Sequence, residues 1–141
     1  MSREILFRGK RLDNGEWIEG DGIHYPKSIN YLGSCWIDGM GECANDWVQV
    51  DPATVGQFTG LCDKNGVKIF EGDILTTDLI RPYVIVVFRD GSFMFNYNDG
   101  DKDYYDIMLP IMKNAQTQTL YHKVIGNIHD NNPEYAMEEL K

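Results

Sequence analysis

The sequence predicts a mainly β protein, in which many short strands joined by tight turns form a small barrel or sandwich. Short runs of β-branched and aromatic residues recur along the chain, and residues 83–88 are apolar on both faces of the expected strand. Turn signals with glycine separate these runs, as at residues 14–15 and 65–66. Because helices do not alternate with the strands, a parallel nucleotide-binding sheet is disfavoured.

The N-terminal part of the chain predicts a hairpin followed by a meander. Residues 5–8 alternate like a strand, a turn follows at residues 13–15, and residues 16–20 return as the second strand. Residues 21–46 are rich in small polar residues and predict short strands with long loops. Residues 47–50 alternate and predict a further strand. We expect one domain over residues 1–141, with an N-terminal lobe at residues 1–50 that ends at a capped turn.

Residues 51–141 predict a barrel lobe. The clearest hairpin turn is at residues 63–66, where Gly66 is expected to adopt a positive φ. Residues 83–88 predict a central strand, residues 93–97 its partner and residues 98–106 an acidic loop. Residues 107–120 fit a helix or a loop equally well. The last expected elements are a strand over residues 122–129 and a short C-terminal helix over residues 133–140.

The charge of the chain argues against nucleic-acid binding as the leading function. The formal net charge is −9 and the sequence pI is about 4.6. A duplex-binding protein normally carries a basic stripe. Here the only basic group of several residues is Arg3, Arg8, Lys10 and Arg11 near the start. An acidic surface is more typical of solubility or of a basic protein partner.

The cysteines and the hydropathy pattern predict a soluble cytoplasmic protein without membrane association. Three cysteines and no secretory signal favour free thiols in a reducing compartment. The longest apolar run, residues 83–88, is too short to span a membrane. Cys35, Cys43 and Cys62, even together with His24, lack the paired spacing of a zinc site, although a Cys–His pair that meets in space stays open.

Three acidic residues near the middle of the chain are the candidates for metal or acid–base chemistry. Asp63, Glu71 and Asp73 would suit a divalent metal or a general acid and base if they converged. Turn formation explains the same residue types, since Asp and Gly favour tight bends. The segments that begin at Asp63 and Asp99 lack the glycine and glutamate of a calcium-binding loop. We therefore assign no catalytic, metal or cofactor-binding residue.

An aromatic cluster in the N-terminal part is the candidate interaction patch. If exposed, these residues with an acidic rim would suit protein binding or a subunit interface, whereas core packing would explain any one of them. The members are Trp17, Tyr25, Tyr31, Trp36 and Trp47.

Residues 55–75, with the sequence VGQFTGLCDKNGVKIFEGDIL, resemble the central signature of the YopX-like family of phage and prophage proteins. Residues 124–128 and 132–134 resemble its C-terminal signature, and residues 7–10 and 16–17 fit its opening hairpin. The resemblance implies a mostly β protein of the bacterial host cell, with an SH3-like barrel in the central lobe and no assigned activity. The signature positions, expected to be mainly structural, are Gly56, Gln57, Thr59, Gly60, Asp63, Asn65, Gly66, Glu71, Gly72, Asp73, Gly126 and Asn127.

Three functional hypotheses follow, from three different classes. The leading one is a non-catalytic accessory protein that forms homo-oligomers, binds a host or phage protein, or does both. The second is a small metal-assisted enzyme that uses the carboxylates near Asp63, Glu71 and Asp73. The third is a nucleic-acid-binding barrel that uses the N-terminal basic residues.

Overall fold

A computed structural model of the protein describes residues 4–25, 35–38, 47–76, 83–98, 100–107, 112–114 and 118–131. Within them the chain forms fourteen strands and one three-residue 3₁₀ helix, so the prediction of a mainly β protein is confirmed. The chain divides into two compact units, Met1–Phe58 and Thr59–Lys141. The C-terminal helix predicted over residues 133–140 lies outside the described residues.

The first unit contains five short strands, which turns and loops separate. They are β1 (Phe7–Lys10), β2 (Trp17–Gly20), β3 (Ile23–His24), β4 (Cys35–Asp38) and β5 (Trp47–Val50). The antiparallel pair β1–β2 is the predicted hairpin, and β3, β4 and β5 form an antiparallel sheet in that order. The predicted capped turn is a 3₁₀ helix, Pro52–Thr54, in which the Asp51 carboxylate accepts the N–H of Ala53 at 3.0 Å.

One face of the β3–β4–β5 sheet forms the core of the first unit. Cys35, Ile37 and Val50 are fully buried. They share one face of the sheet, because Cys35 and Ile37 alternate along β4 and Val50 lies across from Cys35 in β5. The half-buried residues packed against them are Phe7, Ile18, Ile23 and Val55. The opposite face of the sheet therefore carries Trp36 and Asp38, and the side chains on this face form the candidate interaction surface.

The second unit contains most of the strands. β6 (Gly56–Cys62) begins in the first unit, where it pairs with β1, and continues into the second, where it pairs with β7 and β13. The remaining strands are β7 (Lys68–Phe70), β8 (Asp73–Thr76), β9 (Val84–Arg89), β10 (Ser92–Asn98), β11 (Asp103–Ile107), β12 (Met112–Asn114), β13 (Thr119–Leu120) and β14 (Lys123–Asn127). Five of them form one antiparallel sheet in the order β11-β10-β9-β8-β14.

The core of the second unit confirms β9 as a central strand. β9 lies between β8 and β10, and its apolar residues Val84 and Val86 are buried. The buried core cluster consists of Ile69, Leu75, Val84, Val86, Phe95 and Leu120. Among the described strands no sheet closes on itself, so no barrel is found and the SH3-like arrangement stays a prediction.

Three segments differ from the sequence-based expectation. The predicted acidic loop contains β11, because Tyr104 pairs across from Tyr97 and the two rings stack with centroids 5.1 Å apart. The segment 107–120, read as helix or loop, contains β12 and β13. β14 is also shorter than predicted, so that His122 and His129 both lie outside it.

Candidate interaction surface

The structure separates the aromatic residues of the candidate patch into three environments. Trp36 and Trp47 lie on one face of the β3–β4–β5 sheet, Trp17 lies on the β1–β2 hairpin, and Tyr25 contacts Cys35. Tyr31 lies outside the described residues. The described members of the candidate patch therefore have three different surroundings, and their role in binding stays a prediction.

We define the tryptophan face as the side chains opposite the core of the β3–β4–β5 sheet: His24, Trp36, Asp38, Trp47 and Gln49. The strand register places them together, since His24 and Gln49 flank Trp36 and Trp47 lies across from Asp38. The Trp47 side chain is 40% exposed, and its ring centroid lies 6.0 Å from that of His24.

The Trp47 ring reaches across β4 toward β3. Its Cη2 atom would lie 3.2 Å from a Cβ built on Gly22, and the Asp38 Cβ would lie 3.4 Å from the same point. The backbone N–H of Asp38 donates to the Gly22 carbonyl at 3.1 Å. The indole therefore lies beside the start of β3 and next to Asp38, and the edge of its ring lies close to Gly22.

Tyr25 belongs to the other side of the same sheet. Its side chain is 54% exposed and is hydrogen-bonded to Cys35, whose side chain points into the core. Burial raises the pKa of the Cys35 thiol, and the weaker effect of the Tyr25 hydrogen bond lowers it. Because a thiol with a raised pKa stays protonated, it is a poor nucleophile. His24 is on the opposite face, so these two residues do not form the Cys–His pair left open by the sequence.

Trp17 is covered by basic side chains of its own hairpin. The Arg8 guanidinium carbon lies 4.7 Å from the ring centroid, and the Lys10 Nζ lies 5.9 Å from it. Both distances fall within the range of a cation–π interaction. Arg11 in turn donates to both carboxylate oxygens of Asp13, at 2.9 and 2.7 Å.

The predicted basic group is thus engaged within the chain wherever it is described, and Arg3 lies outside the described residues. These contacts hold the cations against the hairpin instead of leaving them as an extended stripe along which a phosphate backbone would lie. The geometry adds no support to the nucleic-acid hypothesis.

The carboxylate of Asp63 holds its own turn and attaches that turn to β14. One oxygen accepts the N–H groups of Asn65 and Val67 at 2.8 and 2.9 Å. The other oxygen accepts the N–H of Val124 at 3.0 Å, across 61 positions of sequence. The side chain is 1% exposed, so the carboxylate is enclosed by backbone donors.

Asp73 is also buried and also faces backbone. Its carboxylate accepts the N–H of Phe70 at 2.8 Å across the turn that contains Glu71 and Gly72. Within the described part of the chain, no three His, Cys, Asp or Glu side chains are grouped so that they could hold a metal ion. The metal-assisted hypothesis therefore gains no support from the position of these carboxylates.

Other signature positions lie at turns and close contacts. Gly60, Gly66 and Gly72 have φ angles of 88°, 83° and 91°, so the expected positive φ of Gly66 is confirmed. A Cβ on Gly126 would meet the side chain of Asn131, and Asn127 accepts two backbone N–H groups of the turn that follows β14. The remaining positions lie as follows: Gly56, Gln57 and Thr59 are in β6, where the Thr59 hydroxyl donates to Ile69, and Asn65 is in the Asp63 turn.

His122 is a buried residue whose burial the sequence analysis did not predict. Its side chain is buried, its ring centroid lies 4.6 Å from that of Phe95, and its Nδ1 has no hydrogen-bond partner among the described residues. Burial lowers the pKa of the imidazole. No local pattern signals such a residue, because its environment comes from β10 and not from its own neighbours in sequence.

In the described part of the chain, no helix has the length and apolar character needed to cross a membrane.

Comparison with known proteins gives the family but no activity. Residues 6–135 match the model of the YopX protein family. The crystal structure of protein EF1440 from Enterococcus faecalis is similar, with a TM-score of 0.54 and 23% sequence identity over 96% of this chain and 99% of that chain. At this identity the likeness shows the fold alone. No curated protein sequence matches significantly. Because the family match spans most of the chain, the protein belongs to the YopX protein family.

Proposed function

We propose that this protein is a non-catalytic accessory protein, encoded by a phage or prophage, that binds another protein through its tryptophan face. The observation that carries the proposal is the placement of Trp36 and Trp47 on the sheet face opposite the core, where Trp47 is 40% exposed. Tryptophan is enriched among the residues that contribute most to protein interfaces.

The arrangement around the two indoles supports this proposal. The other face of the same sheet packs the buried core of the unit, so the backbone beneath the tryptophans is held in place. Polar side chains adjoin the indoles in the register, namely His24, Asp38 and Gln49. An apolar centre with a polar rim is the usual anatomy of a specific interface.

Three finer features belong to the same proposal. The protein acts in the cytoplasm of the bacterial host cell, it self-assembles into a homo-oligomer or binds a host or phage protein, and its second unit is related to the SH3-like barrels. The antiparallel β-sheet structure of that unit supports the last of these.

Affinity capture with the full-length protein tests the proposal. Wild-type protein should retain a salt-resistant partner, and Trp47→Ser should lose it, because the exposed indole supplies the contact area. The matched control is Tyr121→Ser, since Tyr121 is also an exposed aromatic residue, at 55%, but belongs to the second unit. Equal retention by wild type and Trp47→Ser would contradict the proposal.

Self-association needs a separate measurement on the same three proteins. Sedimentation velocity over a range of concentrations should give a larger species for the wild type than for Trp47→Ser if the tryptophan face joins two copies. A wild-type protein that is monomeric and retains no partner would contradict the interaction hypothesis in both of its forms.

A further inference from the structure

We infer that the tryptophan face receives an arginine or lysine side chain from a basic segment of the partner protein. This inference rests on the proposed function and deepens it by naming the chemistry that the partner presents. The position of Trp47 across from Asp38 in the strand register, on the same face as His24 and Trp36, carries the inference.

The first argument is the local geometry. Trp47 lies directly across from Asp38 in the β4–β5 register, and its ring extends over β4 to the level of Gly22. The face of an indole attracts a cation through its quadrupole, and a nearby carboxylate adds a charge-assisted hydrogen bond. A guanidinium or ammonium group that enters this position would meet both.

The second argument is that aromatic rings of this protein take up cations elsewhere. Arg8 lies over Trp17 at 4.7 Å, Arg89 over Tyr105 at 4.0 Å and Lys102 over Tyr104 at 5.2 Å. Each of those cations comes from the same chain as its ring. At Trp47, the exposed indole of the tryptophan face, we infer that the cation comes from the partner.

The third argument is charge complementarity. The described residues of the first unit include seven acidic and three basic side chains, and Arg11 among the basic ones is bound to Asp13. The whole chain carries a formal net charge of −9. Such a surface steers a basic partner toward itself and repels an acidic one.

A peptide titration tests the inference. Full-length protein is titrated with hexa-arginine at low salt by calorimetry, and the indole N–H signals of the three tryptophans are followed by NMR. Hexa-arginine should bind and shift the Trp47 signal, which Trp47→Phe identifies. Trp47→Leu should weaken binding about tenfold and Asp38→Asn about threefold, in keeping with the loss of one cation–π contact and one charge-assisted contact.

Two controls separate this site from general electrostatic attraction. Trp17→Phe should leave the affinity for hexa-arginine within about twofold, because the Trp17 ring is already covered by Arg8 and Lys10. Hexa-glutamate and a single-stranded uridine oligonucleotide should not bind. Circular dichroism of each variant shows whether it folds, and Trp47→Ser replaces Trp47→Leu in the titration if the latter does not fold, because Trp47→Phe would keep an aromatic ring.

The outcomes distinguish this inference from the proposed function. Absence of hexa-arginine binding, binding that is equal in wild type and Trp47→Leu, or equal binding of the oligonucleotide would each overturn the cation site. If a captured partner still depends on Trp47 in that case, the interaction proposal stands with a partner of different chemistry. If capture is also independent of Trp47, both are overturned.

Discussion

In the first unit the backbones of β2 and β4 approach so closely that Gly20 has no room for a Cβ, whereas in the second unit a buried carboxylate joins segments far apart in sequence. A Cβ on Gly20 would overlap the carbonyl oxygen of Asp38. In the second unit Asp63 accepts the N–H of Val124. The close approach in the first unit requires a residue without a side chain, whereas the link in the second unit requires a carboxylate.

The same contrast between the two units is seen in two turns that have similar sequences but contribute unequally to stability. Asp13 and Asp63 both begin segments that end in an Asn-Gly pair. Asp13 is exposed and binds Arg11, two residues away, while Asp63 is 1% exposed and binds β14. We expect only the second carboxylate to be essential for its unit, because its donors would be left unpaired in a buried site.

The largest effect is expected from Gly20→Ala. The added methyl group would collide with backbone, which cannot rotate away, so the substitution should cost about 3 kcal/mol or more in the free energy of unfolding. Chemical denaturation measures this cost. The control is Gly15→Ala, where a Cβ would have nothing within 4 Å and only the smaller cost of a side chain at a φ of 72° is expected. Equal stability of the two variants would show that β2 and β4 do not approach as described.

The next effect is expected from Asp63→Ala, at about 2–3 kcal/mol, because three backbone N–H groups lose a charged acceptor. Hydrogen exchange should show loss of protection at Val67 and Val124. Asp13→Ala is the matched control and should remain close to wild type, since its carboxylate is exposed. A stable Asp63→Ala protein with protected Val124 would refute the link to β14.

Gly66→Val should cost about 1 kcal/mol, because a β-branched residue is strained at a φ of 83°. Gly15→Val should cost about the same, since Gly15 has a φ of 72° and both positions are open to solvent on the side of a Cβ. Thermal unfolding of the two variants provides the comparison. A much larger loss of stability in Gly66→Val than in Gly15→Val would contradict this expectation. It would mean that Gly66, in addition to Asp63, makes the second turn more important for stability than the first.

The smallest change is expected from pH, through His122. Because burial lowers the pKa of His122 in the folded protein, the unfolded chain binds the proton more readily. The contribution of neutral His122 to the free energy of unfolding is therefore fully present above the pKa of the unfolded chain, about 6.5. It decreases as the pH falls toward the lower pKa of His122 in the folded protein. Denaturation at about pH 7 and pH 5 should show a smaller pH effect in His122→Gln than in wild type. His24→Gln, at an exposed histidine, is the control, and an unchanged pH effect in His122→Gln would contradict the assignment.

Local signals predicted those elements that depend on local energetics. The Asn-Gly turns are predicted correctly because a positive φ is a property of the glycine itself. β9 is predicted correctly because a run of β-branched residues favours a strand, and β9 indeed lies between β8 and β10. β11 was missed, since its acidic residues mask a strand that pairing with β10 stabilises.

The sequence by itself determined the β-rich class, the turns and the residue types available for an interaction surface. The tertiary structure decided which of those residues meet. Tyr25 is hydrogen-bonded to Cys35. Trp17 is covered by Arg8, whereas Trp36 and Trp47 lie on one face of the β3–β4–β5 sheet. The physical reason is that alternation assigns a side chain to one of two faces, whereas the pairing of distant strands decides which face is covered by a core and which is left exposed.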